Sequence, residues 1–148
     1  MANQVGGVQP LPNPAGTPLL TLRIPIAEWH IIIQSRPNVL IRGEKFHVEQ
    51  TLLAILAHLQ GSVFHWHSGT DETLPPDDAR TGTLVIAGLD ELTGDEVSAL
   101  EGWLLTAGAS FQVISTSRSD LGAAVELGRF PASLYYRLNT ILLESPGA

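Results

Sequence analysis

The sequence predicts a three-layer α/β/α fold built on a parallel sheet. Short apolar segments that suit buried strands alternate with longer segments whose apolar residues recur at helical spacing. Glycine- and proline-containing turns separate these segments. Strands joined through helices pair in parallel by right-handed crossovers, so the alternation puts helices on both faces of one sheet.

The first half of the chain predicts an arm, a short helix, a strand and a long helix. Residues 1–18 hold four prolines among glycine and asparagine and are expected to be a flexible arm before a domain over 19–148. A short helix should begin at Pro25. Residues 38–43 (NVLIRG) are typical of a buried strand that ends in glycine. The long helix should follow over 48–61 and end at Gly61. Its apolar face should consist of Leu52, Leu53, Ile55, Leu56 and Leu59.

The second half continues the alternation. Residues 62–69 have period-two alternation and predict a second strand, followed by an acidic, proline-containing loop and a third strand over 82–88. Thr93 and Glu96 form the pattern of a capping box, so a helix should begin near residue 94. A fourth strand is expected over 110–116. After it, Asp120 should cap one short helix and Pro131 should open another. The helix from residue 94 should end at Gly108, with Val97, Leu100, Trp103 and Leu104 on its sheet side.

The segment from Gly82 to Asn139 resembles the sigma-54-interaction domain of bacterial enhancer-binding regulators, which is an AAA+ ATPase module. The longest match is GRFPASLYYRLN (128–139) against GRFREDLYYRLN, and GTL at 82–84 and SDL at 119–121 also match. The resemblance implies a P-loop NTPase fold with five parallel strands in the order 5-1-4-3-2. The GAFTGA loop of that family has no counterpart in the sequence. The helical lid and the DNA-binding domain of the family are expected to be absent as well.

The phosphate loop of that family does not recur. Such a loop needs glycines so that backbone amides can approach phosphate, and a lysine that contacts the β and γ phosphates. The family text is GESGTGKE; aligned from Gly43 without a gap, this chain has GEKFHVEQ, with Val48 for the last glycine, Glu49 for the lysine and Gln50 after it. A carboxylate about 4 Å from a phosphate charge costs roughly 4 kcal/mol at an effective dielectric of 20. Lys45 is expected at the start of the loop and not at the helix N-terminus. From the start of the loop it would be a poor substitute for the missing lysine.

The Walker B position has two alternative registers. The family strand ends in Asp-Glu, for Mg²⁺ and for the attacking water. The gapless alignment puts Ala87 and Gly88 there, whereas a second register makes LVIAGLDE the strand and Asp90 with Glu91 the acidic pair. We favour the gapless register because it also aligns the helix that follows.

The remaining catalytic positions of the family are also altered. The sensor asparagine becomes Arg118, and of two arginines directed at a neighbouring subunit's nucleotide, the first becomes Pro131 and the second is kept as Arg137. Arg137 is therefore the candidate arginine finger, although a structural arginine is an equally good interpretation. His65 and His67 share one strand face but lack a clear third ligand, so we expect no metal.

Composition limits the classes of partner. The chain of 148 residues has no cysteine and a formal charge of −7, which gives no electrostatic footprint for nucleic acid or an anionic membrane. No signal-peptide or membrane-spanning pattern is evident, so a cytoplasmic location is expected.

The leading hypothesis is a non-catalytic AAA+-like regulatory domain that binds a protein partner and needs no cofactor, with at most weak ATP-Mg²⁺ binding. The alternative hypotheses are a nucleotide-responsive subunit that docks with an active AAA+ ring and a fragment of a longer regulator. A homo-oligomer and an AAA+ neighbour are the two partner arrangements that we consider.

Overall fold

A computed structural model of the protein describes residues 24–75, 81–106 and 110–144. The predicted arm over residues 1–18 and the predicted helix end at Gly108 lie outside these residues. The α-helices are α1 (Ile26–His30), which a π-helical turn continues over Ile31–Ser35, α2 (Lys45–Leu56), α3 (Gly94–Thr106), α4 (Leu121–Glu126) and α5 (Ala132–Leu138). The strands are β1 (Val39–Arg42), β2 (Val63–His67), β3 (Gly82–Ala87), β4 (Phe111–Ser117) and β5 (Ile141–Glu144). No helix in these ranges is long and apolar enough to cross a bilayer.

The five strands form one parallel sheet in the order β2-β3-β4-β1-β5. This is the order 5-1-4-3-2, so the predicted fold class is confirmed. The four strands located from sequence lie within one or two residues of their predicted limits. The fifth strand was not located in advance. Its four residues pair with β1, and Leu40 aligns with Leu142.

Two apolar clusters cover the two faces of the sheet. On one face, α3, α4 and α5 pack over the sheet through residues such as Leu100, Leu121 and Leu134. On the other face, α1 and α2 pack through Trp29 and Ile55. Alternate residues of β1 face opposite sides of the sheet, because Val39 and Ile41 lie in the second cluster whereas Leu40 lies in the first. The sheet is therefore the middle layer of three.

Helix α2 differs from its prediction at both ends and on one face. It begins at Lys45, three residues earlier than the run from Val48 indicated, and it ends at Leu56. Leu53 was assigned to the apolar face, yet it is 58% exposed. Ile55 is buried as predicted, and Ala54, which was not assigned to that face, is buried as well. The leucine-rich sequence gives several equivalent apolar faces, and packing on the sheet chooses between them.

The predicted N-terminal caps of α3, α4 and α5 are confirmed, whereas the predicted C-terminal cap at Gly61 is wrong because α2 ends at Leu56. The Thr93 amide donates to Glu96 Oε1 at 2.8 Å, and the Glu96 amide donates to Thr93 Oγ1 at 3.2 Å, which is the reciprocal pattern of a capping box. Asp120 Oδ1 accepts from the Ala123 amide at 3.2 Å. Pro131 stands at the N-cap of α5. These caps fix where α3, α4 and α5 begin.

The amino-terminal edge of the sheet is joined by three polar side chains, which we call the basal clasp: Arg36, Asn38 and Gln112. Each of the three contacts backbone from another part of the chain. Arg36 donates to the Gly82 carbonyl and to Thr83 Oγ1; Asn38 accepts from the Val113 amide and donates to the Arg137 carbonyl; Gln112 donates to the carbonyls of Ile32 and Pro37. The clasp thus connects the amino ends of β1, β3 and β4 to the turn after α1.

Candidate functional site

A cavity of about 350 Å³ lies at the carboxyl edge of the sheet, opposite the basal clasp. In open parallel sheets, ligands bind in the crevice outside the carboxyl ends of the strands. The lining comes from α2 and from the ends of β2, β3 and β4. It consists of Lys45, Val48, Glu49, Leu52, His67, Ala87, Gly88, Glu91, Thr116, Ser117 and Arg118. The cavity is therefore the candidate functional site.

The connection from β1 to α2 at this cavity contains only Gly43 and Glu44. The Gly43 amide donates to the Ser117 carbonyl at 3.0 Å, which ties the start of the turn to the end of β4. The Val48 amide already donates to the Glu44 carbonyl at 2.9 Å, as expected inside a helix. No longer loop wraps the cavity at this point.

Three aligned phosphate-loop positions consequently lie within α2. Val48 is only 4% exposed and packs into the core. Glu49 is exposed and lines the cavity, and Gln50 is half-buried. The expectation for Lys45 was wrong, since the structure puts it at the first residue of α2 and on the cavity wall. The physical reason is that the short turn lets the helix begin directly after Glu44.

Strand β3 ends at Ala87, before any carboxylate. Gly88 follows with φ of 76°, in the left-handed region that glycine adopts readily, and its amide donates to Thr116 Oγ1 at 2.9 Å. Residues Leu89–Glu91 then form a 3₁₀ turn. The second register, with a strand over LVIAGLDE, is therefore wrong, because the left-handed Gly88 ends the strand. Ala87 and Gly88 both line the cavity.

The two acids after β3 point in different directions. Asp90 Oδ2 accepts from the Ser119 amide at 3.2 Å and from Ser119 Oγ at 2.8 Å, so this carboxylate holds the turn after β4. Glu91 lies over Gly88 and lines the cavity. A Cβ built on Gly88 would stand 3.1 Å from Glu91 Cδ. Only Glu91 of this pair is a wall of the candidate site.

Charges at the cavity balance. Lys45 and Arg118 carry positive charge, and Glu49 and Glu91 carry negative charge. Within the described residues the structure has one ion pair, between Arg42 and Glu144, so these four side chains are not paired with one another. The cavity therefore presents unpaired charges of both signs rather than one uniformly positive wall.

Arg137, the candidate arginine finger, lies away from the cavity. Its guanidinium donates to the Leu104 carbonyl at 2.7 Å, in the last turn of α3. A cation that binds a free carbonyl at a helix C-terminus is a favourable structural arrangement. Arg137 thus stabilises the contact between α3 and α5 in this conformation.

The histidines do not gather into a metal centre. His65 and His67 are both exposed on the edge strand β2, and His67 Nδ1 lies 2.9 Å from the Ser68 carbonyl. The described residues contain no cluster of three or more His, Asp or Glu side chains that could hold an ion. His67 does line the cavity, as does Thr116, and neither was assigned to the site from sequence. The sequence signal that could have assigned them to the site is their position at the carboxyl ends of β2 and β4.

Comparison with solved structures shows that the chain is similar in fold to part of NtrX from Brucella abortus. The ATP complex matches with a TM-score of 0.64 and 15% identity over 86% of this chain and 35% of NtrX. The ADP complex matches with a TM-score of 0.59 and 14% identity over 81% of this chain and 36% of NtrX. A third NtrX structure matches with a TM-score of 0.63 and 13% identity over 86% of this chain and 36% of NtrX.

The chain spans about a third of the length of NtrX, and at this identity the likeness shows the fold alone. No protein-family model matches the chain. No curated protein matches it either. The chain has a five-stranded parallel α/β fold, with the strand order 5-1-4-3-2, that it shares with part of NtrX.

Proposed function

We propose that this chain is a non-catalytic AAA+-like regulatory domain that acts through protein contacts and has lost the Walker A and Walker B chemistry. The observation that carries the proposal is the two-residue connection between β1 and α2. The sequence resemblance to sigma-54-dependent regulators supports the regulatory setting.

The short connection removes the geometry on which phosphate binding depends. A phosphate loop surrounds the phosphates with successive backbone amides before its helix begins. Here the helix begins at Lys45, so the amides from Val48 onward are used inside the helix. Only the free amides of the first turn of α2 face outward. Of the usual phosphate-binding site, the helix N-terminus and one lysine are present, and the loop that surrounds the phosphates is missing.

The charge distribution also opposes a nucleoside triphosphate. Lys45 at the helix N-terminus would attract phosphate, and Arg118 would add to this attraction. Glu49 stands one helical turn after Lys45, and Glu91 stands on the opposite wall. Each carboxylate at about 4 Å from a phosphate charge costs roughly 4 kcal/mol at an effective dielectric of 20, which offsets one cation. The net attraction for a polyanion is therefore small.

Magnesium and the attacking water would lack their usual ligand. Ala87 and Gly88 have no side chain that could bind a cation at the end of β3. Asp90 is held by two hydrogen bonds to Ser119. Glu91 alone offers oxygen atoms from this segment, and a single carboxylate is a weak Mg²⁺ site unless substrate phosphates complete it.

The experiment is calorimetric titration of ATP-Mg²⁺ and of ADP into the purified chain. We expect no binding tighter than millimolar, which corresponds to a favourable free energy of about 4 kcal/mol or less. Micromolar binding, or phosphate release above the blank without enzyme, would contradict the proposal.

The alternative, a subunit that lends Arg137 to an active AAA+ neighbour, has less structural support. The guanidinium of Arg137 is already bound to the Leu104 carbonyl and would have to leave it. Size-exclusion chromatography of the chain with an active AAA+ protein, with and without ATP, would test this alternative. Co-elution that requires ATP would favour it.

A further inference from the structure

Two histidines of β2 lie next to each other on an uncovered part of the sheet. Trp66 is buried in the apolar cluster beneath α3, and Phe64 packs against that cluster. Because alternate residues of a strand face opposite sides, His65 and His67 project from the other face of the sheet. Both are exposed there, and within the described chain β2 is an edge strand that pairs with β3 alone. We call these two side chains the β2 histidine pair.

The spacing of the pair suits the chelation of one metal ion. Residues two apart in a strand have Cα atoms about 6.6 Å apart. Imidazole nitrogens bind a zinc ion at about 2.1 Å, so two ligands of one ion stand about 3.0 to 3.4 Å apart. The two exposed rings can lean towards each other by this amount, because neither is packed in the core. Their register partners on β3 are Val85 and Ala87, which carry no charged group that would compete for the rings.

A hydrogen bond prepares His67 as a ligand. Its Nδ1 lies 2.9 Å from the Ser68 carbonyl oxygen, and a carbonyl oxygen can only accept a hydrogen bond. Nδ1 therefore carries the proton, and Nε2 of the neutral ring has the free lone pair. Histidines that bind metals almost always donate their other ring N–H to a carbonyl, a carboxylate or water. His67 thus has the tautomer and the supporting contact that a metal ligand needs.

We propose that the β2 histidine pair binds a divalent transition-metal ion of the nickel, copper and zinc group through Nε2 of His65 and Nε2 of His67. Imidazole nitrogen suits these ions, whereas Mg²⁺ and Ca²⁺ take oxygen ligands. The chain has no cysteine that would compete for the ion. The pair supplies two ligands rather than a closed centre of three or more, and water fills the remaining positions. The third ligand whose lack made a metal unexpected from sequence is therefore not required.

The test is calorimetric titration of Cu²⁺, Ni²⁺ and Zn²⁺, each alone, into the purified chain. We expect one site per chain, with a dissociation constant for Cu²⁺ below about 10⁻⁴ M. Ni²⁺ and Zn²⁺ should bind more weakly than Cu²⁺, which is the order that nitrogen ligands give. A dissociation constant for Cu²⁺ above about 10⁻⁴ M would overturn the proposal. Such a result would leave the proposed loss of ATP chemistry untouched, because the titration contains no nucleotide.

Three variants locate the ion. His65→Ala and His67→Ala each remove one of the two ligands and should weaken Cu²⁺ binding by about tenfold or more. His30→Ala is the matched control, because His30 is exposed on α1 and has no second histidine within one helical turn. The control should bind Cu²⁺ as the original chain does. Loss of binding in the control, or in only one of the two β2 variants, would contradict chelation by the pair.

Thermal melts with Ni²⁺ give a second measurement. An ion that binds the folded chain in preference to the unfolded chain raises the melting temperature. Ni²⁺ should therefore raise the melting temperature of the original chain and of His30→Ala, but not that of His65→Ala or His67→Ala. Circular dichroism before heating establishes that every variant is folded. An equal rise in all four chains would show that the ion binds elsewhere and would refute the assignment.

Discussion

Inserting Ser-Gly-Thr-Gly between Glu44 and Lys45 should give this chain measurable affinity for ATP. The insertion creates GESGTGK from the existing Gly43-Glu44 and Lys45, because the lysine already stands at the N-terminus of α2. It leaves every residue of the helix in place. The new glycines would allow backbone amides to approach the phosphates, which the two-residue connection does not permit.

The size of the gain follows from the new backbone amides, because Lys45 and Glu49 are present in both chains. A hydrogen bond from an amide to a charged phosphate oxygen contributes about 2 kcal/mol. One such bond corresponds to a gain of about thirtyfold over the original chain. Adding Glu49→Gln to the insertion should increase the gain further.

The matched control substitutes the motif into the gapless positions with Val48→Gly, Glu49→Lys and Gln50→Thr. These residues lie inside α2, and Val48 is buried. Losing its side chain costs about 2 kcal/mol of burial, and glycine in a helix interior adds about 1 kcal/mol. The control should therefore melt at a lower temperature and gain little or no affinity for ATP.

Calorimetry measures the affinity of both variants, and a coupled phosphate assay measures turnover. Neither variant should hydrolyse ATP, because Ala87 and Gly88 still provide no carboxylate. If the substituted chain bound ATP as tightly as the chain with the insertion, the inference that the missing loop rather than its residues limits binding would be wrong. Turnover by either variant would show that Glu91 can act in place of the lost Walker B acids.

The other predictions concern stability. The Gly69 amide, followed by the Thr93 amide, lowers the pKa of Glu96 to about 2. A lowered carboxyl pKa contributes stability that is complete above the ordinary value of about 4.3 and is lost as the pH falls towards 2, so Glu96→Gln should remove part of the acid sensitivity seen in urea melts. Thr93→Ala should cost about 1 kcal/mol by removing the helix cap, and an unchanged midpoint in urea would speak against the capping role. Trp103→Phe removes the hydrogen bond from Nε1 to the Pro75 carbonyl, a bond of 2.9 Å, and should cost about 1 kcal/mol. A larger loss in thermal melts would point to a packing change instead.

Local signals predicted much of this fold. The capping box at Thr93 and Glu96 and the cap at Asp120 depend on residues three apart, so sequence alone defines them. The strand order came from resemblance, because the pairing of distant strands leaves no local pattern. Strand β5 was not located from sequence, and it pairs with β1 at the edge of the sheet.

The candidate site was predicted less well, for a physical reason. The gapless alignment assumed that the turn after β1 has the same length as the family's phosphate loop. The length of a turn depends on where the next helix can begin. Once α2 begins at Lys45, this lysine stands at the helix N-terminus and Glu49 lies one turn farther along the helix. The contact of Arg137 with the Leu104 carbonyl likewise depends on tertiary packing, which no short motif records.

The basal clasp has a consequence for how such a domain can change over time. Arg36, Asn38 and Gln112 fix the strand register at the amino-terminal edge of the sheet. Ligands would bind at the opposite, carboxyl edge, which we call the rim. Shortening, lengthening or replacing a turn at that rim therefore alters the turn without shifting the strands. A protein built this way can discard a chemical activity while it keeps its shape. The same separation should allow new turns to be grafted onto the rim of this chain without refitting its core.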